Sequence, residues 1–118
     1  MYQKEFVVSE NETAKVMGSG TLDVLATPSA IAMAENTCMN QSKDLVSEGE
    51  TTVGIHIDFK HIKASLVGAN IKVSSEIKEQ KGKRIIFSFE MFEGEKKIGY
   101  GEHERAIVNV SSFLSHIG

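Results

Sequence analysis

The chain has no tryptophan, one proline, one cysteine, and nowhere a run near the ~20 apolar residues that a membrane-spanning helix requires. Each gap excludes something. A lone cysteine, Cys38, cannot close an internal disulfide, so the chain is no disulfide-stapled secreted scaffold and suits a reducing compartment. The N-terminal MYQKEFVVSE lacks the apolar core of a signal peptide, and a cytoplasmic location is expected. Basic excess is missing as well. Thirteen Lys and Arg against sixteen Asp and Glu give a formal charge of −3 with both signs scattered, which removes the electrostatic footprint of nucleic-acid binding. The nearest basic group, Lys81, Lys83 and Arg84, flanks Gly82 and reads as a solvated turn. The glycines show neither GxGxxG nor GxxxxGK spacing, and no Gly-x-Ser-x-Gly elbow occurs.

What is present is 118 residues, 41% apolar and 25% charged, the balance of one globular domain over residues 1–118. Such a chain buries about 65% of its unfolded surface, enough for a thin core. Only TPSAIAMAENTCMNQSKDLV argues for a long helix. Pro28 fits its first position, Thr27 can cap it with its hydroxyl, and Ala30, Ile31, Ala34 and Cys38 recur along one face. Everything after Glu50 reads as strand. Val53, Ile55, Ile57 and Phe59 alternate with Gly54, His56, Asp58 and Lys60; Ile71 to Ile77 and Ile85 to Met91 repeat the pattern, with turns at Gly82 and Gly94. A last strand from about Lys97 to Val110 can bend at Gly99 or Gly101, and Glu5 to Val8 forms a first strand. The order makes an α+β domain with one helix across a sheet of about five strands. Five strands at ~4.8 Å spacing span roughly 20 Å whereas one helix covers ~10 Å, so both tight curling of the sheet and dimerisation are expected.

Several polar residues stand out from this frame. Glu35 sits in the apolar part of the helix, where a carboxylate is costly unless it is paired or reaches solvent at the edge of the stripe. Thr27 is either a plain N-cap or a hydroxyl beside the positive end of the helix, a place that favours negative charge. His56 and Asp58 share a strand face by parity while His61 falls on the other, so no metal site is expected. His61, at a strand end, is either a surface histidine or an acid, base or orienting group. Gly54 weakens a strand unless a backbone or ligand must approach closely. In YGEHERAIV the dense charges read as a solvated face, or as Arg105 meeting an anionic group.

The segments ATPSAIAMAENT, EGETTVGIHIDFKHIKASLVG and GYGEHERAIV, in the order strand, helix, four strands, resemble hot-dog-fold acyl-CoA thioesterases, most closely the fluoroacetyl-CoA thioesterase type. The likeness runs from about Leu25 to Val110, without a gap between Thr27 and Arg105. It implies a hot-dog fold, a long helix wrapped by a curved antiparallel sheet, and a homodimer, or a dimer of such dimers, with active sites where two copies meet. It implies catalytic roles for Thr27, Glu35 and His61, substrate contacts for Gly54 and Arg105, and an acyl-CoA substrate with no further cofactor. One region departs. The fluoroacetyl-specific enzyme carries aromatic residues in a lid between first strand and helix, whereas SENETAKVMGSGTLDVLA is shorter and has none. Fluoroacetate specificity is therefore not expected; Val16, Met17, Leu22 and Leu25 would line a pocket for small or medium acyl groups.

The reaction so implied is thioester hydrolysis to a carboxylate and CoA. His61 would serve as general acid/base, Glu35 would orient it or attack directly, and Thr27 would be nucleophile or position water. Backbone N–H groups near Gly54 or the helix start would stabilise the oxyanion. Two other functions fit the same residues: a non-catalytic acyl-CoA or metabolite-binding dimer, and a hot-dog enoyl-CoA hydratase or dehydratase.

Overall fold

The period-2 apolar pattern does build strands. In the computed structural model, which describes all 118 residues, β1 (Tyr2–Val7), β2 (Glu50–His61), β3 (Asn70–Lys81), β4 (Arg84–Glu93) and β5 (Lys96–Asn109) form one antiparallel sheet in the order β1-β3-β4-β5-β2. Gly82 and Gly94 turn the two tight hairpins at φ 57° and 60°, a region open to glycine at no steric cost. The segment from Glu10 to Leu25 contains a 3-10 turn at Glu10–Glu12 and a short helix α1 (Ala14–Met17). The Thr13 hydroxyl caps α1 by accepting from the Val16 N–H at 3.2 Å. The long helix, α2 (Thr27–Gln41), runs on into a 3-10 turn at Ser42–Leu45. A further short helix, α3 (Val110–Ser115), lies beyond the expected elements, with Asn109 as its cap. No helix is long and apolar enough to cross a membrane.

Of the expected line Ala30, Ile31, Ala34 and Cys38, all but the half-buried Ile31 are buried, and Ser29, Met33 and Thr37 complete the buried stripe of α2. Thr37 can join it because its hydroxyl donates to the Met33 carbonyl at 2.8 Å, which leaves no orphaned polar atom. The stripe packs on Ile71, Val73, Phe89, Met91 and Ile98, and Cys38 continues into a second cluster with Ile85, Phe87 and Ile107. Helix and core leave one margin uncovered. β2 is an edge strand, and its Ile55 is 50% exposed.

Two glycines of β5 make room for this edge. Gly99 and Gly101 pair with His61 and Phe59; a Cβ on Gly101 would stand 1.9 Å from the Asp58 carbonyl oxygen, and one on Gly99 2.6 Å from the Phe59 ring. The irregularity expected near them is a register shift that skips Ile98, opposite Met91 and Phe92.

Candidate active site

Thr27 is the first residue of α2, and Ala26 holds the N-cap position without any side-chain bond. The expected capping role of Thr27 is therefore corrected: its Oγ1 meets His61 Nδ1 at 2.9 Å instead. His61 closes β2, where the alternation that buries Ile57 and Phe59 turns it to the inner side; its ring lies 5.6 Å from that of Phe59. Burial pushes its pKa below the usual 6.5, with the Lys63 backbone opposing, and its Nε2 is buried without a hydrogen-bond partner. The pair faces a cavity of about 280 Å³ lined also by Ala14, Val24, Leu25, Ile62, Lys63 and Ala64. Of the four apolar residues expected there, only Leu25 takes part; Val16, Met17 and Leu22 stand exposed between β1 and α2.

Glu35, Gly54 and Arg105 form a second group. Arg105 is 7% exposed on the inner face of β5, where its Nε donates to Thr52 Oγ1 at 2.8 Å and its Nη2 to the Thr52 carbonyl at 3.0 Å. Its Nη1 faces His103 Nε2 at 3.1 Å, and Glu35 Oε2 lies 4.0 Å from that same nitrogen. Burial lowers the Arg105 pKa, against the nearby charge of Glu35. A Cβ on Gly54 would come within 3.1 Å of both Glu35 Oε2 and His103 Cε1, a tight fit that the glycine relieves. The solvated-face reading of YGEHERAIV holds for Tyr100 and Glu102, and fails for His103 and Arg105, which are buried. Cys38, buried beside this group, has its thiol pushed up to about 12 by burial, which makes it a poor nucleophile.

The five candidate residues thus fall into two clusters within one chain, Thr27 with His61 and Glu35 with Gly54 and Arg105. Glu35 follows Thr27 by eight residues, a helical rise of about 12 Å, and it contacts His103 rather than His61. Sequence reasoning passed over His103 and Thr52. His103 shares its strand parity with the apolar Ile107, and that alternation marks the inner face of β5. No three His, Cys, Asp or Glu side chains converge as metal ligands. A larger hollow of about 470 Å³ on the outer sheet face is lined by Asp58, Lys60, Glu76, Glu90, Lys97 and Glu102 and contains none of the five candidates.

One long helix packed on a five-stranded antiparallel sheet, with a Thr–His pair where the helix starts, is a hot-dog architecture, and the solved structures it resembles bear this out. A crystal structure of a point mutant of the fluoroacetyl-CoA-specific thioesterase FlK in complex with fluoroacetate and CoA superposes with a TM-score of 0.93 at 24% identity, covering 98% of this chain and 94% of that one. A thioesterase superfamily member from Thermus thermophilus gives 0.88 at 22% identity, over 97% and 85% of the two chains. A hot-dog-like protein from Thermanaerovibrio acidaminovorans gives 0.86 at 14% identity, over 96% and 84%. The chain belongs to the fluoroacetyl-CoA-specific thioesterase (FlK) family, whose model matches residues 8–111. The fluoroacetyl-CoA thioesterase of Streptantibioticus cattleyicolor is 28% identical over 95 residues, 80% of this chain and 68% of that protein.

Proposed function

We propose that the protein is an acyl-CoA thioesterase that hydrolyses a small or medium acyl-CoA to a carboxylate and CoA, working as a homodimer. The observation that carries this reading is the Thr27–His61 pair, 2.9 Å apart at the wall of a cavity with apolar lining. A hydroxyl within reach of an uncharged imidazole is the arrangement that activates either the hydroxyl itself or a water. His61 Nδ1 takes the proton, the oxygen attacks the thioester carbonyl, and the C–S bond breaks as CoA leaves with a proton returned to sulfur. Where Thr27 is the nucleophile, water then cleaves the acyl ester and regenerates the hydroxyl. The unpaired N–H groups and dipole at the start of α2 stabilise the oxyanion.

A base works best when a third group orients it, and His61 Nε2 has no partner in its own chain. Glu35 of a second copy supplies that group in this proposal. The long edge of β2 and the exposed Ile55 give the second copy its docking surface, and Glu35 lies near that edge beside Gly54. The absence of aromatics from residues 9–26 supports a small or medium acyl group with no selectivity for fluoroacetyl.

The test is release of free thiol from a panel of acyl-CoAs, from acetyl to hexanoyl with fluoroacetyl and an aryl acyl group included. Turnover with the short and medium linear chains is the expected result. No turnover with any, together with thermal stabilisation by acyl-CoA, would establish a binding protein instead, and water addition across an enoyl-CoA would establish a hydratase.

A further inference from the structure

We propose that Phe59 is a positioning residue for this reaction, its ring filling the place that Gly99 leaves empty beside His61 and so holding the imidazole in reach of Thr27; the inference rests on the thioesterase reading above.

Side chains that face each other across an antiparallel ladder are natural neighbours. His61 of β2 stands opposite Gly99 of β5, which has no side chain to offer. The Phe59 ring takes that place. Phe59 itself stands opposite Gly101, yet a Cβ built on Gly99 would meet Phe59 Cε1 and Cζ at 2.6 Å, so the ring leans along the strand into the space of a side chain at position 99. There it lies 5.6 Å from the imidazole between centroids, tilted by 36°. It also stacks at 5.8 Å on Phe89, a residue of the buried core. Both separations are those of packed rings.

The backbone beside His61 is anchored independently. The carbonyl of Ile98, at the irregularity of β5, accepts from the Ile62 N–H at 2.8 Å and from the Lys63 N–H at 3.2 Å. What remains free is the imidazole. Within the chain a single hydrogen bond, between Nδ1 and Thr27 Oγ1 at 2.9 Å, orients it, and Nε2 has no partner. Orientation matters because a reacting group misplaced by about 1 Å loses on the order of 10²-fold in rate. A phenyl ring supplies the second constraint without engaging the base, since it packs against the imidazole and leaves both nitrogens free. A polar side chain in the same place would compete with Thr27 for Nδ1 or occupy Nε2.

Positions 59 and 99 are varied singly and together. Phe59→Leu keeps an apolar side chain against Phe89 but is too short to cover Gly99, which opens the space beside His61. In steady-state hydrolysis of a short acyl-CoA, kcat should fall by about tenfold with KM nearly unchanged. In Phe59→Leu/Gly99→Ala the added methyl enters the vacated space, and part of the lost kcat should return. Wild-type kcat in Phe59→Leu would overturn the inference, as would a double variant that recovers nothing, or losses that track the melting temperatures. Crystal structures of wild type and Phe59→Leu give a readout independent of turnover. One His61 rotamer, with Nδ1 on Thr27, is expected in the first, and a ring divided between orientations in the second. A ring equally ordered and equally placed in both would overturn the positioning role whether or not the protein hydrolyses a thioester. No turnover by wild type, with the ring loosened in Phe59→Leu, would overturn the thioesterase reading alone.

Discussion

Thr27 stands at a helix start that needs no side-chain cap, because Ala26 already takes that place, and so its hydroxyl is left for His61. The consequence at the residue scale is kinetic. In the proposed mechanism His61→Ala takes away the base and should lower kcat/KM by about 10²–10⁴, while the ring's position at the end of an edge strand leaves the melting temperature close to that of wild type. The pH profile carries the same argument with a sign. Within one chain burial lowers the His61 pKa, and the base must be neutral to accept a proton; the Glu35 carboxylate that the proposal brings from a second copy acts the other way. Activity should therefore fall on the acid side as His61 takes a proton, and Glu35→Gln, which removes the negative charge, should move the acidic midpoint of kcat/KM to lower pH. A midpoint that Glu35→Gln leaves in place would contradict the pairing.

Elements show why part of this arrangement can be read from the sequence and part cannot. The α2 and β2–β5 segments announce themselves because long periodic stretches carry many repeats of one pattern; Pro28, Gly82 and Gly94 then punctuate them. The short helices α1 and α3, of four and six residues, are fixed by caps at Thr13 and Asn109 and contain too few turns for a period to emerge. Parity placed His61 on the inner side of β2, but the company of Glu35 depends on which strands pair. That His103 and Arg105 face α2 follows from β5 lying between β4 and β2, a fact of topology and not of local pattern. Close packing between β5 and β2 yields a stability prediction. Gly101→Ala forces a Cβ to 1.9 Å from the Asp58 carbonyl oxygen and should cost on the order of 3 kcal/mol, about 10 °C in Tm, in a thermal melt. An unchanged melt would mean that the two strands do not approach so closely.

At the scale of the whole molecule, 25 of 118 residues are buried, and the exposed apolar side chains include Ile55 on the edge strand β2. The long β2 edge, the exposed Ile55 beside it, and a His61 Nε2 without a partner all lie where a second copy would complete the structure. In the proposed dimer, the carboxylate that one chain's Thr27–His61 pair lacks would come from Glu35 near the β2 edge of the second copy. The most direct test is complementation between two lesions. His61→Ala and Glu35→Ala are each expected to be nearly inactive alone. Refolded together, they form heterodimers in which one of the two shared sites keeps both residues, so these dimers should recover about half of wild-type turnover. A mixture no more active than its parents, with heterodimers verified, would contradict a site assembled from two copies.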